Sequence, residues 1–141
     1  MIDCLIIGDS VAVGVSQVRK ECVSHANSGW SSQRWNQTYL DRAGKIPVQT
    51  VVISLGANDH QGIDTEAELR RIRSALQGKR VFWIDMGLNR RHRAQAAVEK
   101  IAKDYGDTVL ARPQHQISKD GVHPTTQGYQ TLARATKQQE Q

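Results

Sequence analysis

The sequence predicts an α/β protein, a parallel sheet with helices on both faces. Three observations carry this. Strand-like and helix-like segments alternate about five times along the chain. The strand-like runs are short and rich in β-branched residues. The 141 residues suit one domain with a sizeable core, with no repeat, linker or low-complexity segment, so residues 1–141 are expected to form a single domain.

The elements follow in order. Residues 2–7 (IDCLII) read as a buried strand. Residues 10–19 carry Val11, Val15 and Val18 at helical spacing. Residues 21–26 form a weaker strand, and 31–43 a helix with Trp35 and Tyr39 one turn apart. Residues 49–55 (QTVVISL) are a strand. Thr65-x-x-Glu68 matches a capping box and opens a helix with Leu69, Ile72 and Leu76 on one face, ended by Gly78. Residues 80–86 (RVFWIDM) are the next strand, followed by a helix over about 90–103 with Ala94, Ala97, Val98 and Ile101 inward. A short strand over 107–111 precedes a last helix over about 124–136, with Pro124 in its first turn and residues 136–141 as a frayed tail.

Composition excludes some classes. No apolar run is long enough to span a bilayer, and no basic segment followed by an apolar stretch marks a secretory leader. A cytoplasmic location is therefore expected, with a phage-encoded or otherwise delivered protein as the alternative. The formal charge of +5 admits an anionic partner. Nucleic acid is not expected, because the basic residues do not interleave with aromatics as a stacking surface requires. Cys4 and Cys22 lie in apolar surroundings without a ligand spacing and read as buried reduced thiols.

In a parallel sheet, function collects at the carboxyl ends of the strands. Ser10 falls where the first strand gives way to a helix, at the positive end of the helix dipole and among its unpaired N–H groups. The alternative is a plain N-cap. Asp120 and His123 lie three residues apart in a turn, so the carboxylate can reach Nδ1 of the histidine and leave Nε2 to take a serine proton. Asn58 and Gly29 follow two other strands; an amide side chain and a bare backbone N–H can both approach a ligand there, although both residues are also common turn formers.

Gly8-Asp9-Ser10 with Gly14, then Gly29, then Gly56-Ala57-Asn58-Asp59, then Asp120-Gly121-Val122-His123-Pro124 with Gly128-Tyr129, resemble the SGNH (GDSL-type) hydrolases. The blocks stand in family order and span nearly the whole chain. The resemblance implies a flavodoxin-like three-layer α/β/α sandwich with strand order 2-1-3-4-5. It implies ester hydrolysis through an acyl-serine, with no cofactor and no metal. By that match Ser10 is the nucleophile, His123 the base and Asp120 its partner. The Ser10 and Gly29 N–H groups and the Asn58 side chain would form the oxyanion hole.

This chain is shorter than the family norm, and the segments after strands two, three and four are brief. No extended apolar loop can wall a deep acyl channel. A small acyl group, acetyl above all, on a carbohydrate is therefore the expected substrate. A thioesterase or lysophospholipase with the same residues, and a catalytically silent binding module, are the alternatives. Trp30 is a candidate face for a sugar ring. Trp35 has that reading and a core reading, while Trp83, inside a strand, reads as core. Arg90-Arg91-His92-Arg93 is the densest positive run. Arg90 and Arg91 are candidates for attracting an anionic glycan; the alternative is a solvated basic face.

Overall fold

A computed structural model describes residues 4–86, 92–112, 116–120 and 123–138. The strands are β1 (Cys4–Gly8), β2 (Val23–Ala26), β3 (Thr50–Ser54), β4 (Arg80–Ile84) and β5 (Thr108–Leu110). The helices are α1 (Ser10–Val18), α2 (Ser32–Ala43), α3 (Thr65–Ala75), α4 (His92–Tyr105) and α5 (Thr126–Gln138). All neighbouring strands are parallel, in the order β2-β1-β3-β4-β5. This is the order implied by the resemblance.

Side chains alternate across a strand, so each central strand feeds two cores. Leu5, Ile7, Val51, Ile53, Val81 and Trp83 face one side and meet Trp35 of α2, Leu69 and Ile72 of α3, and Val98 and Ile101 of α4. Ile6, Val52, Phe82 and Ile84 face the other and meet Val11 and Val15 of α1 and Leu132 of α5. Helices α2, α3 and α4 thus cover one face of the sheet, and α1 and α5 the other. Trp35 and Trp83 are fully buried. Trp35 donates through its indole N–H to the His25 carbonyl at 2.8 Å, which settles its two readings in favour of the core.

Three sequence expectations need correction. The cysteines are not free: Cys4 and Cys22 form a disulfide, with Cα atoms 4.6 Å apart. The reason is register. Leu5 stands opposite Val23, so the residues just before them also face each other at the start of the β1–β2 pair. The Thr65–Glu68 capping box does not form. Asp64 caps α3 by accepting from Ala67 N at 3.1 Å, while Thr65 Oγ1 donates to Asp59 and Glu68 accepts from Asn36. Pro124 lies outside the last helix, which begins at Thr126; it pairs instead with Ile117 in an isolated antiparallel bridge.

Candidate active site

The carboxyl end of β1 enters α1 with no intervening loop. Gly8 makes this possible. Its φ is +141°, and a Cβ there would lie 1.8 Å from the Ser54 carbonyl oxygen of the neighbouring strand. Asp9, not Ser10, is the N-cap of α1: its Oδ1 accepts from Val11 N at 3.1 Å and from Ser54 Oγ at 3.1 Å. With Asp9 capping, the Ser10 hydroxyl is released from that duty. It donates to His123 Nε2 at 2.8 Å.

His123 is delivered by a narrow chain reversal. Ser118 N donates to His123 O at 2.8 Å and Thr125 N to Gln116 O at 2.7 Å, on either side of the Ile117–Pro124 bridge. Asp120 lies within the reversal. Its Oδ1 accepts from His123 N at 2.9 Å and from Ser118 Oγ at 2.8 Å. Its Oδ2 lies 2.7 Å from His123 Nδ1. A carboxylate can only accept, so Nδ1 carries the proton and Nε2 faces Ser10 with a lone pair. The pair stays wet, with His123 and Asp120 side chains 41% and 50% exposed.

On the other flank, Gly29 follows β2 with φ +81° and open space around it. That left-handed turn suits glycine and leaves room for a ligand. Asn58, exposed after β3, donates through Nδ2 to the Trp30 carbonyl at 3.2 Å. One hydrogen of that amide is therefore committed to the Gly29-Trp30 loop, and the second is free of it. Trp30 is half-buried. Its ring lies 5.9 Å from that of Tyr39, and the Arg34 guanidinium sits 4.5 Å from its centroid. Arg34 makes no ion pair among the described residues.

Burial raises the pKa of Asp9 above its ordinary value; the Ser54 hydroxyl, the N–H groups of Val11 and Ala12, and the Arg112 charge oppose the rise. Burial likewise raises Tyr129, with Arg112 opposing and the charges of Asp9 and Asp120 adding. Buried Arg112 donates to the Asp85 carbonyl at 2.6 Å. A buried cation thus acts on both Asp9 and Tyr129, a feature with no signature in the sequence. Asp59, which the motif alone leaves without a role of its own, is a second buried charge beside the site. It accepts from Ser32 N, Ser32 Oγ and Thr65 Oγ1 at 2.7, 2.5 and 2.8 Å. Its signal is in the sequence: an acid in a tight loop just after a buried strand needs donors if it is buried.

The candidate cation run divides. Arg90 and Arg91 lie outside the described residues. Arg93 turns onto the β3–α3 loop, donating to the carbonyls of Ile63 at 2.6 Å and His60 at 2.9 Å. Among the described residues, no group of three or more His, Cys, Asp and Glu side chains could hold a metal ion. Among the described residues no helix is long and apolar enough to cross a membrane.

No family model and no curated protein matches the sequence. Solved structures do match the fold. A GDSL-like lipase from Bacteroides thetaiotaomicron superposes with a TM-score of 0.67 at 18% identity, over 99% of this chain and 87% of that one. TesA gives 0.69 at 18% identity, over 94% of each chain. An acetyl xylan esterase from Geobacillus stearothermophilus gives 0.64 at 19% identity, over 94% of this chain and 91% of that one. Sheet order, flanking helices and near-complete coverage of both partners agree, and the chain has the SGNH (GDSL-type) hydrolase fold.

Proposed function

We propose that this chain is a serine ester hydrolase working through an acyl-serine. The carrying observation is the Ser10–His123–Asp120 chain of hydrogen bonds, at 2.8 and 2.7 Å, at the N-terminus of α1. His123 Nε2 takes the hydroxyl proton as Ser10 Oγ bonds to the acyl carbon. The carbonyl π electrons move onto oxygen, and that oxyanion meets the N–H groups of Ser10 and Gly29 and the free Asn58 amide hydrogen. Collapse expels the alcohol, which receives the proton from His123. Water then attacks the acyl-serine by the same route, releasing the acid and restoring Ser10. Asp120 holds the imidazole in the reactive tautomer and stabilises its cation.

The short segments at the rim, 27–31 after β2 and 55–64 after β3, favour a small acyl group, and acetyl is the reading adopted. The Trp30 ring beside Gly29 is not an open sugar face, because the Arg34 guanidinium lies 4.5 Å from its centroid, so the carbohydrate reading rests on that guanidinium. Arg34 above that ring adds a cation without a counter-ion among the described residues, which favours an anionic glycan. The fold neighbour described as an acetyl xylan esterase is in keeping with this reading.

The test is hydrolysis of a nitrophenyl ester series. The reading requires turnover of the acetyl ester that falls as the acyl chain lengthens, and loss of turnover in Ser10→Ala. A rate rising toward long chains favours the lysophospholipase or thioesterase alternative. No turnover of any ester, with the fold intact, favours a binding module.

A further inference from the structure

The two proposed oxyanion donors other than Ser10 come from different loops. Gly29 belongs to the loop after β2, which is an edge strand with half-exposed residues. Asn58 belongs to the loop after β3, deep in the sheet. An oxyanion hole works only when its donors sit within a few tenths of an ångström of the developing charge. Something must hold an edge loop in register with a central one.

Asp59 is placed to do this. Its side chain is buried, at 7% exposure, directly after Asn58. Oδ1 accepts from Ser32 N at 2.7 Å and Oδ2 from Ser32 Oγ at 2.5 Å, so both oxygens grip one residue of the other loop's far end. Ser32 begins α2, three residues after Gly29. Oδ2 also accepts from Thr65 Oγ1 at 2.8 Å, anchoring the carboxylate to the start of α3. Asp59 N donates back to Gly56 O at 3.1 Å, closing the turn that presents Asn58. The Asn58 Nδ2 to Trp30 O bond, at 3.2 Å, is the second tie between the same loops. The edge loop is otherwise held to the sheet by Asn27 N donating to Gly8 O at 2.9 Å.

We propose that Asp59 is a positioning residue, fixing the Gly29 N–H and the Asn58 amide relative to one another through its two-point grip on Ser32. The proposal rests on the serine-hydrolase reading. Asp59 does not touch substrate; it determines the spacing of the donors that do.

Two hydroxyl deletions separate positioning from plain stability. Ser32→Ala and Thr65→Val each remove one hydroxyl donor from Asp59 Oδ2, but only the first weakens the link to the Gly29 loop. The measurements are kcat and KM for nitrophenyl acetate, melting temperature, and the NMR resonances of the Gly29 amide and Asn58 side-chain NH₂. The expected result is a comparable drop in melting temperature for both variants. Ser32→Ala lowers kcat by about tenfold or more with KM within about twofold, the pattern of an interaction felt in the transition state, and Thr65→Val keeps kcat within about twofold. The Gly29 and Asn58 resonances move in Ser32→Ala and hold in Thr65→Val. Asp59→Asn sets an amide against the hydroxyls and should repeat the Ser32→Ala pattern, which covers the case of a Ser32 variant that does not fold. Equal kcat losses in the two hydroxyl variants, or unmoved Gly29 and Asn58 resonances in Ser32→Ala, overturn the proposal. A folded wild-type chain that turns over no ester instead overturns the hydrolase reading, while the resonances still decide whether the grip couples the loops.

Discussion

Ser10 Oγ and His123 Nε2 meet at 2.8 Å although 113 positions separate them in the chain. Two local devices produce the meeting. Asp9 takes over the capping of α1, which frees the serine, and the Ile117–Pro124 bridge narrows the reversal that carries the histidine. Each device belongs to a different end of the sequence, and the parallel sheet brings them to one edge.

Removing His123 should cost more than removing Asp120. The imidazole is the only proton acceptor at Ser10 Oγ among the described residues, so His123→Ala is expected to lower kcat by about 10³ or more. The His123–Asp120 pair is open to water, with side chains 41% and 50% exposed, so solvent can partly replace the carboxylate. Asp120→Ala is expected to retain at least about tenfold more activity than His123→Ala. Steady-state kinetics on nitrophenyl acetate check this, and equal losses would show that Asp120 does more than orient the ring.

Arg34 should matter for charge rather than chemistry. Arg34→Gln removes the cation over Trp30 and leaves the Ser10 neighbourhood untouched. The expected outcome is a rise in KM for an anionic acetyl ester, no change for a neutral one, and a weaker salt dependence than wild type. Assays of both esters across a salt series decide it. Similar KM values for the anionic ester in both proteins would remove Arg34 from substrate binding.

Asp9 should give stability a negative pH slope on the acid side. Burial lifts its folded pKa above the ordinary 3.8, so between 3.8 and the folded value the native state binds more protons than the unfolded state. Stability contributed by the neutral carboxyl is complete below 3.8 and is lost as pH rises through the folded value. Asp9→Asn keeps an oxygen for Val11 N and Ser54 Oγ and removes the titration. The difference in unfolding free energy, variant minus wild type, should therefore grow from pH 4 toward neutrality. Denaturant unfolding at a series of pH values measures it; a difference that shrinks with pH would contradict the assigned direction.

Much of the fold was legible because its signals are local. TVVIS and VFWI are short runs that only a buried strand accommodates, and Gly8-Asp9-Ser10 and Asp120 to His123 each carry their geometry within a few residues. What escaped depends on partners far away in sequence. The Cys4–Cys22 bond follows from the register of β1 on β2, which neither segment specifies alone. The Thr65–Glu68 pattern was a sound capping signal, but Asp59 claims the threonine hydroxyl and Asn36 the glutamate, and an aspartate one residue earlier takes the cap. Trp30 is an open face as far as its neighbours in sequence show; the guanidinium four residues on, one turn into α2, lies over it.

Covalent labelling by a fluorophosphonate, followed by peptide mapping, tests the proposed Ser10 nucleophile most directly. The proposed nucleophile Ser10, hydrogen-bonded to His123, should react with the phosphorus centre, and an ordinary surface serine should not. One adduct per chain is expected, on Ser10, absent in Ser10→Ala and formed far more slowly in His123→Ala. An adduct on another residue, or labelling of Ser10→Ala at the wild-type rate, would contradict it.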